Sequence, residues 1–112
     1  MGRSITKFPS MTGLVVFEAA ARHLSFTIAA RELNVTQAAV SQQVRALERE
    51  LGVPLFKRNN RTLELSDGGR TLSRAVSMGL ECMTAGLSEI REAQKPSIVV
   101  GTSDAIARFW LV

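Results

Sequence analysis

The sequence has few of the residues on which disulfides, zinc sites and membrane anchors depend. Its 112 residues include one cysteine, Cys82, and one histidine, His23, so a single chain can form neither a disulfide framework nor a Cys/His zinc site. No run of about 18 apolar residues is present, which excludes a transmembrane helix. The length excludes large catalytic folds such as a TIM barrel. We expect one small domain, with or without an appendage, in a reducing compartment, and Cys82 either buried or paired across a dimer.

Positive charge is concentrated in the first part of the chain. Residues 1–66 contain nine Lys and Arg against five Asp and Glu, residues 67–95 four of each, and residues 96–112 one of each. The whole net charge of +4 therefore lies in the first part, which indicates a polyanionic partner there. The alternative is an ordinary solvated surface, because a net charge of this size is common among soluble proteins.

The spacing of apolar residues predicts three helices in the first half of the chain. The first spans residues 11–22. A short second helix spans residues 26–33 behind an N-cap at Ser25, and a third spans residues 37–51 behind an N-cap at Thr36. A short helix, a tight turn and a longer helix in this order predict a helix-turn-helix.

The polar face of the third helix has the composition of a DNA-reading surface, since it carries cations, amides and short residues but no acid. Gln37 and Gln42 can pair with adenine edges or bridge to other bases, and Ala38 lets the helix enter the major groove. Ser41 can bond to a base or a phosphate, and Arg45 can reach a phosphate or a guanine. The alternative is the solvated face of a three-helix domain that does not bind DNA.

A small β-hairpin is predicted after Pro54. Leu55-Phe56 and the alternating residues 62–66 flank a turn signal at Asn59-Asn60. The hairpin would act as a wing that grips the DNA backbone or the minor groove through basic residues. These basic residues are Lys57, Arg58 and Arg61.

A long helix over residues 67–95, capped by Ser66, is predicted next, followed by a buried strand over residues 97–103 and a helix start over residues 104–112. Apolar residues recur along the long helix close to the 3.5-residue repeat that marks a partner helix. The alternative is a helix folded back on its own domain. The predicted dimerisation residues are Leu72, Val76, Met83, Leu87 and Ile90.

Several of these segments resemble the N-terminal region of LysR-type transcriptional regulators. The resemblance is carried by Phe17-Glu18-Ala19-Ala20, Val35-Thr36-Gln37 and Leu55-Phe56-Lys57-Arg58, and it is dense over about residues 9 to 72. It is strongest to the branch that contains the activator of the glycine cleavage operon. It implies a mainly α fold with a winged helix-turn-helix DNA-binding domain at 9–66, a linker and dimerisation helix at 67–95, and the truncated start of an α/β effector domain at 97–112.

The resemblance also implies a sequence-specific regulator in the bacterial cytoplasm, associated with the nucleoid. It would bind an imperfect inverted repeat in double-stranded DNA as a homodimer, with a tetramer possible in a full-length form, and it would need no cofactor, metal or membrane. Thr102 and Ser103 match the start of a pocket for a small-molecule effector, which this chain leaves incomplete. Its DNA contacts would be Ser25, Thr27, Thr36, Gln37, Ala38, Ser41, Gln42, Arg45, Lys57, Arg58 and Arg61.

Two alternative functions are an enzyme and an interaction module. An enzyme would need a nucleophile with a base, paired carboxylates or metal ligands. The one histidine, His23, is predicted at the surface beside Arg22 and not in a catalytic site, so we expect that the chain is not an enzyme.

The second alternative is a truncated interaction module that pairs with a full-length regulator and modulates it. Since members of the family carry a complete effector domain, we expect this chain to be an excised fragment, a degradation product or the product of a shortened gene.

Overall fold

The computed structural model describes residues 8–95, in two compact units of which the first ends at Ser77 and the second begins at Met78. The predicted strand and helix start of the effector domain, with Thr102 and Ser103, lie outside the described residues. Within residues 8–95, no helix is both long and apolar enough to cross a membrane. The elements in chain order are α1 (Met11–His23), α2 (Phe26–Leu33), α3 (Gln37–Leu51), β1 (Phe56–Asn59), β2 (Thr62–Leu65) and α4 (Asp67–Ala93).

The first three helices begin at hydroxyl N-caps, of which Ser25 and Thr36 are predicted from the sequence. The side chains of Ser10, Ser25 and Thr36 each accept a hydrogen bond from the backbone N–H three residues later, which satisfies a donor that the helix itself leaves free. At the other end of α3, Gly52 has a φ of 77°, the left-handed conformation that glycine adopts without strain. The predicted bounds of α2 and α3 are confirmed, and α1 extends one residue further, to His23.

The core of the first unit joins the helices to the hairpin. Phe17, Val40 and Leu55 are its largest fully buried side chains. The ring of Phe56, at the start of β1, contacts Phe17 and Phe26 edge-on, with centroid distances of 5.6 and 5.2 Å. The hairpin therefore packs on α1 and α2 through a single aromatic residue as well as through Leu55.

The hairpin is confirmed, but its turn lies one residue later than predicted. The strands are antiparallel with Phe56 opposite Leu65 and Asn59 opposite Thr62. The two loop residues are Asn60 and Arg61, both with positive φ, as a tight hairpin turn requires. Register is the physical reason, because Phe56 and Leu65 must both reach the core and this pairing leaves only two residues for the loop.

An exposed ion cluster connects α1 to α2. The guanidinium of Arg22 donates to the carboxylate of Glu18 at 2.9 and 3.0 Å and to that of Glu32 at 3.0 and 2.9 Å. Nε2 of His23 lies 2.6 Å from Oε1 of Glu32. The hydrogen bonds from Arg22, and then from His23, lower the pKa of Glu32 to about 2. The one histidine thus belongs to a surface ion cluster, which is the setting that the sequence predicts for it.

The predicted dimerisation residues on α4 fall into two groups, one in each unit. Leu72 and Val76 pack against the core of the first unit, so the structure shows intramolecular packing where the sequence predicts a surface for a partner. In the second unit Met83, Leu87 and Ile90 are 48, 51 and 59% exposed. Leu72 and Val76 are half-buried and thus pack on their own domain, as the alternative expects, whereas pairing with a partner helix stays a prediction for the whole stripe.

The expectation of a buried Cys82 is wrong. The thiol is free and exposed. It lies on the part of α4 that follows Ser77, and within the described residues of the second unit no other helix or strand is available to cover it.

Gly69 in α4 lies directly against the backbone of Leu55. A Cβ at this position would fall inside van der Waals contact with the Leu55 carbonyl oxygen and within 3.0 Å of a methyl group of Leu65. That carbonyl also accepts a hydrogen bond from the backbone N–H of Ser66 at 3.0 Å, so it cannot move away freely. Only glycine fits here, and its absence of a side chain lets the helix begin beside the hairpin.

We predict that Gly69→Ala lowers the free energy of unfolding by about 1–3 kcal/mol, because the added methyl overpacks a site enclosed by backbone. Gly86→Ala, in the same helix but where the added Cβ meets no described residue beyond its own stretch of helix within 4 Å, should instead raise it by about 0.5–1 kcal/mol through helix propensity. Urea unfolding followed by circular dichroism measures both. Equal changes in the two variants would contradict the packing argument.

Candidate nucleic-acid interface

A cleft of about 350 Å³ lies between α3 and the hairpin of the first unit. Apolar side chains from the core, among them Phe26, Val44 and Phe56, form part of its wall. The polar side chains that line it come from both elements and include most of the predicted DNA-contacting cations. These polar residues are Gln37, Ser41, Arg45, Glu48, Lys57 and Arg58.

Two hydroxyl groups engage the longer side chains of α3. Nη2 of Arg45 donates to Oγ of Ser41, one turn earlier, at 2.9 Å. Oγ1 of Thr27, on α2, donates to Oε1 of Gln37 at 3.2 Å. These bonds hold Gln37 and Arg45 in defined orientations although both residues are exposed.

The remaining predicted DNA contacts are not among the residues that line this cleft. Ala38 and Gln42 are exposed on α3, and Arg61 is exposed in the hairpin turn. Ser25 and Thr36 cap the N-termini of α2 and α3, where free backbone N–H groups and the helix dipole favour an anion. The structure therefore gives these two residues a capping role that is compatible with a phosphate nearby.

Glu48 is the functional residue that the sequence reasoning missed. Its Oε2 accepts hydrogen bonds from the backbone N–H groups of Leu55 and Phe56, at 2.7 and 3.4 Å. The sequence places Glu48 only on a flank of α3, yet an acid near a helix C-terminus is opposed by the helix dipole and so needs a partner. That signal could have identified it as the tie between α3 and the hairpin.

The electrostatics of the cleft favour an anionic ligand. Its cations are Arg45, Lys57 and Arg58, and its one acid, Glu48, is occupied by backbone donors. Over residues 8–95, no group of three or more His, Cys, Asp and Glu side chains is placed to hold a metal ion. The arrangement suits phosphate and base edges better than a metal or a cationic ligand.

Comparison with known proteins identifies the family. Residues 11–70 match the model of the bacterial regulatory helix-turn-helix proteins of the lysR family. The chain belongs to the LysR family. The glycine cleavage system transcriptional activator of Escherichia coli strain K12 is 41% identical over 107 residues, which cover 95% of this chain and 35% of that protein. The chain thus spans about a third of the length of the curated relatives it matches.

Solved structures of LysR proteins share the fold. A LysR transcriptional regulator from Eggerthella lenta is 43% identical, with a TM-score of 0.59, over 62% of this chain and 99% of that one. The BenM DBD in its complex with catB site 1 DNA is 27% identical, with a TM-score of 0.72, over 80% of this chain and 100% of that one. The predicted LysR resemblance and winged helix-turn-helix fold are confirmed. The family consists of regulatory proteins, in agreement with the prediction that the chain is not an enzyme.

We predict that Glu48→Ala lowers the free energy of unfolding by about 1–3 kcal/mol, because it leaves the Leu55 N–H without its partner. Glu48→Gln should cost less, since its carbonyl can still accept the bond. Glu50→Ala, an exposed neighbour on α3, serves as the control and should change stability by less than about 0.5 kcal/mol. If urea titration gives the same loss for Glu48→Ala and Glu50→Ala, the tie carries no stability.

Proposed function

We propose that this chain is the DNA-binding part of a transcriptional regulator that recognises specific sequences in double-stranded DNA. The observation that carries the proposal is the cleft itself, where α3 and the hairpin bring Gln37, Arg45, Lys57 and Arg58 together around one anion-attracting surface. Support comes from the BenM and CbnR DBD structures, both solved with DNA, which are 27% and 30% identical to this chain.

In this proposal α3 lies in the major groove and the hairpin on the backbone or in the minor groove. Base contacts come from the exposed N-terminal part of α3, at Gln37, Ala38, Ser41 and Gln42. Contacts to phosphates hold the domain in register without reading sequence themselves. The residues proposed for this backbone set are Ser25, Thr27, Thr36, Arg45, Lys57, Arg58 and Arg61.

We further propose that two copies pair through the second half of α4 and bind an imperfect inverted repeat, one half-site each. Met83, Leu87 and Ile90 recur every three or four residues, so they lie along one side of the helix. Their exposed side chains form one apolar stripe there, whereas apolar side chains exposed singly would need no explanation. Leu72 and Val76 support the same helix from within the first unit. Tetramer formation and effector binding would belong to the whole protein, which would act in the bacterial cytoplasm at the nucleoid.

The same exposed stripe favours a second candidate function, in which the chain pairs with a longer LysR protein and modulates it. The two functions differ in whether the chain binds DNA by itself. Because Gln37, Arg45 and Arg58 are all present and grouped, DNA binding is the function that the geometry supports best.

We predict that the purified chain, given fragmented genomic DNA at about 150 mM salt, retains fragments that share a palindromic motif. Gln37→Ala and Gln42→Ala should each relax preference at separate base pairs, by about 1–3 kcal/mol if the lost contact is bidentate. Arg58→Ala and Arg61→Ala should weaken binding to all sequences alike and flatten its salt dependence. Retention without a motif would leave only backbone binding and favour the interaction module.

We predict that Leu87→Glu converts a dimer into monomers, because a charge in an apolar helix seam has no partner. Ala85→Glu is the matched control, since it places the same charge on the opposite side of α4, where Ala85 is exposed. Light scattering measures the mass of each variant. A Leu87→Glu protein with the mass of the unaltered chain would place the contact elsewhere.

A further inference from the structure

The carboxamide of Gln37 is held by the other helix of the helix-turn-helix. Thr27 lies in the first turn of α2 and Gln37 is the first residue of α3. Oγ1 of Thr27 donates its hydrogen to Oε1 of Gln37 at 3.2 Å, and both side chains are exposed. A glutamine side chain carries an acceptor oxygen with two lone pairs and an NH₂ group with two hydrogens, so a bond to one end leaves more capacity at the other.

This bond uses one of the two lone pairs of Oε1, whereas no described residue bonds to the NH₂ group of Gln37. A bidentate pair with adenine would need Oε1 to accept from the N6 amine while Nε2 donates to N7. Because Oε1 already accepts from Thr27, the adenine amine would have to share this oxygen and approach its remaining lone pair. Guanine and thymine present only acceptors at the corresponding positions of the major groove, and these require the NH₂ group alone.

The hydrogen bond between Arg45 and Ser41 also leaves a donor available. Oγ of Ser41 accepts from the guanidinium of Arg45, and no described acceptor takes the Ser41 hydroxyl hydrogen, which can therefore be donated. Gln37, Ser41 and Arg45 line one cleft, so this part of α3 presents donors. The sequence alone allows Gln37 to pair with adenine or to bridge to other bases, and the observed hydrogen bond favours the bases that need only a donor.

We propose that Thr27 is a positioning residue that sets the base preference of Gln37, directing it to guanine or thymine and away from adenine. The proposal rests on the proposed function, since it presumes that α3 reads base edges. It assigns to Thr27 a role in specificity through Gln37, in addition to any direct contact with the backbone.

The test compares Thr27→Val with Thr27→Ser. Valine keeps the branched shape of threonine and removes the hydroxyl, whereas serine keeps the hydroxyl. Each protein selects duplexes from a random-sequence pool, and the base pair that loses its preference in Gln37→Ala identifies the position read by Gln37. Thermal unfolding of each variant confirms that the exposed substitution leaves the fold intact.

In the unaltered chain we expect guanine or thymine at the position read by Gln37. Thr27→Val should reduce the discrimination against adenine at that base pair by about threefold to tenfold, the worth of one hydrogen bond, and leave the other positions unchanged. Thr27→Ser should keep the original preference. In a Gln37→Ala background, Thr27→Val should change the preference no further, because its effect passes through Gln37.

Three results would overturn the proposal while leaving DNA recognition intact. These are adenine at the position read by Gln37 in the unaltered chain, an unchanged preference in Thr27→Val, or a Thr27→Ser variant that behaves like valine. A pool from which the unaltered chain enriches no motif contradicts the proposed function itself, and the role of Thr27 fails with it.

Discussion

The backbone of Leu55 is held from three directions, and the placement of α3 relative to the hairpin depends on it. Its N–H donates to the carboxylate of Glu48, its carbonyl accepts from Ser66, and the bare Cα of Gly69 lies against that carbonyl. The side chain of Leu55 is only 1% exposed. Residues from α3, from the position after β2 and from α4 therefore converge on the backbone of one residue.

This constraint explains how a four-residue strand pair can serve as part of a binding surface. A two-stranded hairpin alone is at best marginally stable in water. Here Leu55 anchors its beginning, and Phe56 packs on Phe17 and Phe26 from α1 and α2. The basic side chains of β1 consequently line the same cleft as Arg45 of α3, which suits an anionic polymer.

Two hydrogen bonds orient side chains of α3 that line the cleft. Thr27 and Ser41 each use a hydroxyl to orient a longer neighbour, so Gln37 and Arg45 enter an encounter with DNA already directed. Pre-organised side chains lose less conformational entropy on binding. The core contacts of the hairpin therefore fix the position of one wall of the cleft, and the hydroxyl groups of Thr27 and Ser41 orient side chains that line it.

Local signals in the sequence were sufficient for most of the fold. Hydroxyl caps at Ser25 and Thr36 determine where α2 and α3 begin, and Gly52 determines where α3 ends, because caps act on residues three or four positions away. The grouping of Gln37, Ser41 and Arg45 also followed from helical spacing. These features require no knowledge of what packs against the helix.

The features that depend on distant contacts were missed. The turn at Asn60 and Arg61 is set by the register of residues that face the core, and the local signal at Asn59-Asn60 places it one residue too early. The tie from Glu48 to Leu55 spans seven residues through a loop. Heptad spacing cannot distinguish a partner helix from the chain's own core, which is why it grouped Leu72 with Leu87.

The measurement that tests the central claim most directly is hydrogen exchange at the Leu55 amide, followed by NMR. Its only described acceptor is the side chain of Glu48. If the tie holds the hairpin against α3, this amide should exchange about as slowly as the amide of Val44 within α3, and Glu48→Ala should release it selectively. An amide that exchanges as fast in the unaltered protein as an exposed loop amide such as that of Val53, while Val44 stays protected, would contradict the account.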